Sequence, residues 1–144
     1  MQYGISELAI IPMRKDPSDQ SEMVNQILFG EHFKILESTK KWSKVCLAHD
    51  NYKGWICNKQ WVKIKTETYE NLEKEISSIT TDILDIIVKD ENQTIVIGSI
   101  LPSFKSGFSI IEERKYKFNG LTTTGFTKKS KLIETSQVYL NTPY

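Results

Sequence analysis

The sequence predicts a mostly β protein, with a small antiparallel barrel over the first 60-odd residues and a second, mostly β unit after it. Three observations carry that expectation. Short apolar stretches recur throughout, several of them alternating with polar residues, and polar turns separate them at the spacing of a small barrel. One stretch in between, TYENLEKEISSI, has helical rather than strand periodicity. A length of 144 residues suits one compact domain or two small ones. Each of two small units would hide only about 60% of its unfolded surface, so they would lean on each other or on further chain.

The strands follow in order. ELAIIPMR comes first, then the loop KDPSDQSE containing Pro17, then MVNQILF ending at Gly30 and HFKILES after only a Gly-Glu turn. In WSKVCLA, Trp42, Lys44 and Cys46 share one face and Val45 and Leu47 the other. The turn HDNYKG leads into WICN, and WVKI closes the first unit. In the helix, Tyr69, Leu72, Ile76 and Ile79 fall on one face, and Glu70 stands four residues before Lys74. DILDIIVK, the turn DENQ and TIVIGS read as a hairpin; FSIIEE and KYKF make another pair, closed by Asn119–Gly120. TTTGFTKKSK reads as a linker. From Lys131 onward Leu132, Ser136 and Tyr139, with Ile133 and Leu140 beside them, form one face of a short helix that Pro143 ends.

Composition excludes several functions. Nineteen Lys and Arg against eighteen Asp and Glu leave no basic excess for nucleic acid. No apolar run approaches the ~20 residues that span a bilayer, and the N-terminus lacks a charged region followed by an apolar core, so a cytoplasmic location is expected. Cys46, Cys57, His32 and His49 lack the close pairing of a zinc site. Cys57 lies in a strand, where burial favours the neutral thiol. No phosphate loop, serine elbow or carboxylate pair is present, so no metal, no cofactor and no catalytic residue are expected in this chain. The aromatics say more. Trp42 and Trp55 are expected in the core, whereas Tyr52 sits on a turn, where a ligand can reach it. Glu22, in the loop after Pro17, has no evident structural task.

The stretches IIPMRKDPSDQSEMVNQILFGEHFKILE, WSKV and NYKGWI resemble the N-terminal bacterial SH3-like region of NlpC-type cysteine peptidases, more closely that of the γ-D-glutamyl-L-diamino-acid endopeptidases. The resemblance continues through IGSILPSF, YKFNG and LIETSQVYLNTPY, and so covers nearly the whole chain. It implies two small SH3-like barrels in tandem, at 1–65 and 66–127, the second with a short leading helix. It also implies that 128–144 are the linker and entry helix of a truncated α+β papain-like domain, whose catalytic Cys and His residues would lie beyond Tyr144. On this view the chain is a non-catalytic fragment. Its partners are its own missing catalytic domain and a peptidoglycan stem peptide, L-Ala-γ-D-Glu-diamino acid. The resemblance places Glu22 and Tyr52 at the ammonium of the free L-Ala, a carboxylate and an aromatic face both being suited to a cation. Two other classes are weighed against it. A free-standing SH3-like module would bind peptidoglycan peptides without a catalytic partner. A polyproline reader would carry the ALYDY-like signature of eukaryotic SH3 domains, which is absent.

Overall fold

The computed structural model describes residues 1–124, 129–137 and 140. Seven strands make the first sheet: β1 (Gln2–Ile5), β2 (Ile10–Arg14), β3 (Met23–Leu28), β4 (His32–Ser38), β5 (Trp42–Leu47), β6 (Lys53–Cys57) and β7 (Val62–Ile64). They run in the order β3-β2-β6-β5-β4-β1-β7, and every pairing is antiparallel. Strand alternation turns Ile11, Met13, Ile27, Phe33, Val45 and Ile56 into one fully buried cluster. Trp42 and Trp55 are buried, as the sequence implied.

Strand β1 is one that sequence reading overlooks. Its signal is weak because Gly4 interrupts the alternation. The glycine is needed there, since a Cβ would stand 2.6 Å from the Phe33 ring and 2.7 Å from that of Trp61.

Helix α1 (Thr66–Lys74) follows the first sheet. Its N-cap residue, Lys65, offers no side-chain cap, and Glu112 takes over that task. The Glu112 carboxylate accepts from Lys65 N at 2.8 Å and Thr68 Oγ1 at 3.0 Å, and the bond from Lys65 N–H holds its pKa below the usual range. The expected helix is longer than the observed one. Tyr69 and Leu72 are buried on it, but Ile76 is exposed and Ile79 belongs to a strand. Glu75 already has an extended backbone, and its carboxylate is held by Ser103 N at 2.8 Å and Ser103 Oγ at 3.2 Å. Ile79 and Thr80 are β-branched and suit a strand better.

The second unit has two sheets. One orders β10 (Asn92–Val96), β9 (Leu84–Val88), β13 (Arg114–Phe118) and β12 (Phe108–Ile111); the other orders β11 (Ile100–Leu101), β8 (Ser78–Thr80) and β14 (Thr122–Thr124). Both predicted hairpins are present. The second one turns at Glu112–Glu113, with Glu112 at φ 55°, and Asn119–Gly120 follows β13 instead of closing the pair. Part of the expected linker is also strand: Thr122–Thr124 pair with β8, as three consecutive β-branched residues favour. Helix α2 (Lys129–Gln137) completes a mostly β fold, with Ile133 and Ser136 exposed on it. Leu132's side chain, Tyr139 and 141–144 fall outside the described residues, as do 125–128 of the expected linker.

The units share one core. Ile5, Phe29 and Ile64 from the first join Tyr69 and Leu72 of α1 and Ile87, Ile95, Leu101, Ile111, Tyr116 and Phe118 of the second. Phe29 meets Tyr116 edge to face at 5.3 Å. Ile100 N donates to Phe29 O at 2.9 Å, and Glu7 Oε1 pairs with Arg114 Nε at 2.5 Å.

On the α1 side, Tyr69 stacks on Tyr3 at 4.2 Å and meets His32 edge to face at 5.1 Å. Lys34 Nζ lies 5.6 Å from the Tyr69 ring, and His32 Nε2 lies 3.6 Å from Glu73 Oε1. Burial pushes the His32 imidazole below its usual pKa despite the opposing pull of Glu73. Above about pH 6.5 both folded and unfolded chains hold it neutral. Below that the unfolded chain takes the proton first, so stability falls with pH until the lower folded pKa is reached. Glu31, raised by burial, works in the opposite sense just above the ordinary carboxylate range. Urea titrations of the native chain and His32→Gln isolate the histidine: the fall below about pH 6.5 should flatten in the variant.

Candidate functional site

The loop between β2 and β3 positions Glu22. Its ends are tied by Lys15 N to Glu22 O at 3.0 Å, Asp16 N to Ser21 Oγ at 2.9 Å and Arg14 Nη1 to Ser21 O at 3.1 Å. A register shift at Met13–Arg14 opens the hairpin there. Glu22 thus stands just before β3, an edge strand, with its side chain 69% exposed and 3.8 Å from Lys15 Nζ. An exposed pair of that length is weak, so the carboxylate is available to a stronger cation.

The turn between β5 and β6 positions Tyr52. Asn51 takes φ 60°, in the left-handed region, and Asp50 Oδ1 accepts from Tyr52 N at 2.8 Å. This is the local side chain-to-backbone turn that Asp favours. From it the Tyr52 hydroxyl donates to Val24 O at 3.3 Å. Val24 is two residues from Glu22 in the chain. Tyr52 therefore reaches the same edge as Glu22 while the residue stays 40% exposed. Sequence reading named both residues but missed Asp50 and Lys15. The Asp50–Asn51 pair ahead of Tyr52 was the available signal for the first; nothing local marked the second.

The other residues weighed for chemistry are dispersed. Cys46 is buried, and its thiol points at Asn51 O at 3.6 Å; Cys57 is half-buried. His49 lies 4.0 Å from Glu31 and 3.7 Å from Asp50. Among the described residues no three His, Cys, Asp or Glu side chains are grouped to hold a metal ion. No helix among them is long and apolar enough to cross a membrane. Two concavities lie elsewhere, one beside Trp61 and Tyr116 and one beside Leu72 and Pro102; neither includes Glu22 or Tyr52.

The loop that holds Glu22 and the turn that holds Tyr52 both fall within a stretch similar to a known kind of module. Residues 13–60 match the model of the bacterial dipeptidyl-peptidase SH3 domain. The whole fold is similar to that of an NlpC/P60 family protein from Bacillus cereus, with a TM-score of 0.76 at 14% identity over 99% of this chain and 65% of that one. No curated protein matches the sequence. At that identity the structural likeness is one of fold, and this chain spans about two thirds of the solved protein's length. The family match thus falls on the stretch where the sequence resemblance placed its first SH3-like domain, and the structural match shows a fold shared with an NlpC/P60 family protein.

Proposed function

We propose that this chain is the substrate-gating and targeting region of a cytoplasmic cysteine endopeptidase. The enzyme would cleave the γ-D-Glu–diamino-acid bond of stem peptides that begin with a free L-Ala. Residues 1–65 and 66–127 would be its SH3-like domains, and 128–144 the entry to its catalytic domain. The observation that carries the reading is the Tyr52–Val24 hydrogen bond, which brings an exposed aromatic to the edge where the Glu22 carboxylate has only a weak partner. A carboxylate and a π face together suit an ammonium. An acylated alanine has no ammonium and would be rejected there.

Two measurements test this. The native polypeptide in its cells should be heavier than 16.6 kDa by a domain of roughly 100–130 residues. A band at 16.6 kDa would make a free-standing peptide-binding module the better reading. In the native polypeptide, Glu22→Gln should weaken binding of L-Ala-γ-D-Glu-diamino acid about tenfold, or ~1.4 kcal/mol, at unchanged fold stability. An unchanged affinity would remove the ammonium clamp.

A further inference from the structure

Asn119 and Gly120 leave the sheet at the end of β13, far in the chain from the Glu22–Tyr52 edge. Of the asparagines in the sequence, Asn119 alone precedes a glycine, and it is exposed. Among the described residues, neither its side-chain amide nor the Gly120 N–H has a hydrogen-bond partner. Other asparagines are better protected. Asn25 and Asn92 lie in β3 and β10 and Asn71 in α1, each ahead of a larger side chain. Asn58 uses both ends of its amide, on Ser43 and on Thr39 O.

The fold fixes the neighbour of Asn119. A Cβ at position 120 would fall on Asp85 Oδ2 and lie 2.7 Å from the Phe118 ring, so only glycine fits. Glycine is also the residue whose backbone nitrogen is least hindered and freest to turn toward the preceding side chain. The dipeptide is held at both ends. Phe118 N donates to Gly107 O at 2.9 Å. On the other side Leu121 N donates to Asp82 Oδ2, and Thr81 N donates to Leu121 O, each at 3.2 Å. Thr122–Thr124 then pair with β8 as β14.

We propose that Asn119 is a site of spontaneous deamidation, and that its conversion loosens β14 from β8. The Gly120 nitrogen attacks Asn119 Cγ and closes a succinimide ring. The Cγ–Nδ2 bond breaks, and the amide leaves as ammonia with the proton given up by the glycine nitrogen. Water then opens the ring at one of its two carbonyls. Opening at Cγ leaves aspartate; opening at the backbone carbonyl leaves isoaspartate, in which the chain runs through the side-chain carbon. Neither step oxidises or reduces anything. Either product puts a carboxylate next to the glycine on which Asp85 Oδ2 rests and two residues from the amide that Asp82 holds. Like charges so close repel. Isoaspartate also lengthens the main chain by one methylene between the Phe118 and Leu121 anchors. The site does not depend on the function proposed for the Glu22–Tyr52 edge.

The test begins with peptide mass mapping of the 144-residue chain after incubation, folded, in mildly alkaline buffer. The peptide holding Asn119 should gain about one dalton and resolve into two products before any other asparagine peptide changes. Asn119→Gln, whose longer side chain closes the ring far more slowly, should show no gain over the same period. Asn119→Asp supplies the charged product directly. Its β14 amides should exchange hydrogen at least about tenfold faster than in the native chain, while those of β5 keep their rate. Salt at about 1 M, which screens charges more than ~3 Å apart, should recover part of the difference. The native chain converted to isoaspartate should exchange faster at β14 and keep an excess in salt, because its extra methylene is not a charge. Conversion in urea but not in the folded chain, or earlier conversion of another asparagine, would overturn the site. Equal β14 exchange in the native, Asn119→Asp and isoaspartate chains would overturn the loosening.

Discussion

Gly30→Ala is expected to destabilise the chain by about 3–5 kcal/mol, among the largest effects a single methyl group can have. Gly30 has φ +80°, a left-handed conformation that costs an L residue roughly 1–2 kcal/mol. A Cβ there would also land on the backbone carbonyl oxygen of Ile100, with Pro102 Cδ 3.0 Å away. Backbone cannot rotate aside as a side chain would. Ile100 N donates to Phe29 O, and Gly30 N donates to Ser6 O, each at 2.9 Å, so relief of the clash pulls on both bonds. The displaced turn carries Phe29, which is fully buried in the shared core. Urea denaturation followed by circular dichroism measures the loss. As a control, Gly98→Ala also has positive φ, but its nearest neighbour is the flexible Leu28 Cδ1 at 3.6 Å. It should cost only the backbone term, about 1–2 kcal/mol. Equal losses at the two sites would mean that Ile100 does not constrain Gly30.

Arg114→Met is expected to cost about 2–4 kcal/mol, somewhat below the range for fully buried pairs because water still reaches these side chains. Glu7 and Arg114 retain 17% and 23% of their side-chain exposure. The guanidinium lies 2.5 Å from Glu7 and 4.0 Å from Glu112. Its removal leaves the Glu7 carboxylate beside the buried Tyr116, whose own pKa is pushed well up, first by burial and then by Glu7. Tyr116 therefore stays protonated and neutral, which adds no second negative charge but offers no cation in the arginine's place. Arg114→Met combined with Glu7→Leu removes both charges and should recover most of the loss. A double variant as unstable as the single one would show that the arginine's packing, not its charge, is what the interface needs.

Local pattern made much of this fold legible. Val45 and Leu47 alternate with Lys44 and Cys46, HDNYKG is a turn, and Trp42 and Trp55 are apolar bulk in a short barrel; each followed from neighbouring residues alone. The failures came where distant residues decide. Ile76 and Ile79 continue the helical spacing of Tyr69 and Leu72, yet Ser103 captures Glu75 and the chain turns into β8. Gly4 conceals β1 until Phe33 and Trp61 are in place against it. The candidate site divides in the same way. Turn chemistry exposed Tyr52, and its loop exposed Glu22. That Tyr52 bonds to Val24 beside Glu22 depends on how two hairpins lie across each other. The Trp61 cleft left no local trace, because its walls come from opposite halves of the chain.

The single core also bears on how such a protein can be inherited and engineered. A barrel cut free after Ile64 would carry Ile5, Phe29 and Ile64, all now buried against the second unit, as raw greasy surface. Sticky surface of that kind invites aggregation. The first barrel is therefore not a cassette to be lifted into a new host at will. Any lineage or designer that moves it must bring the second unit along, or repaint those three positions with polar side chains.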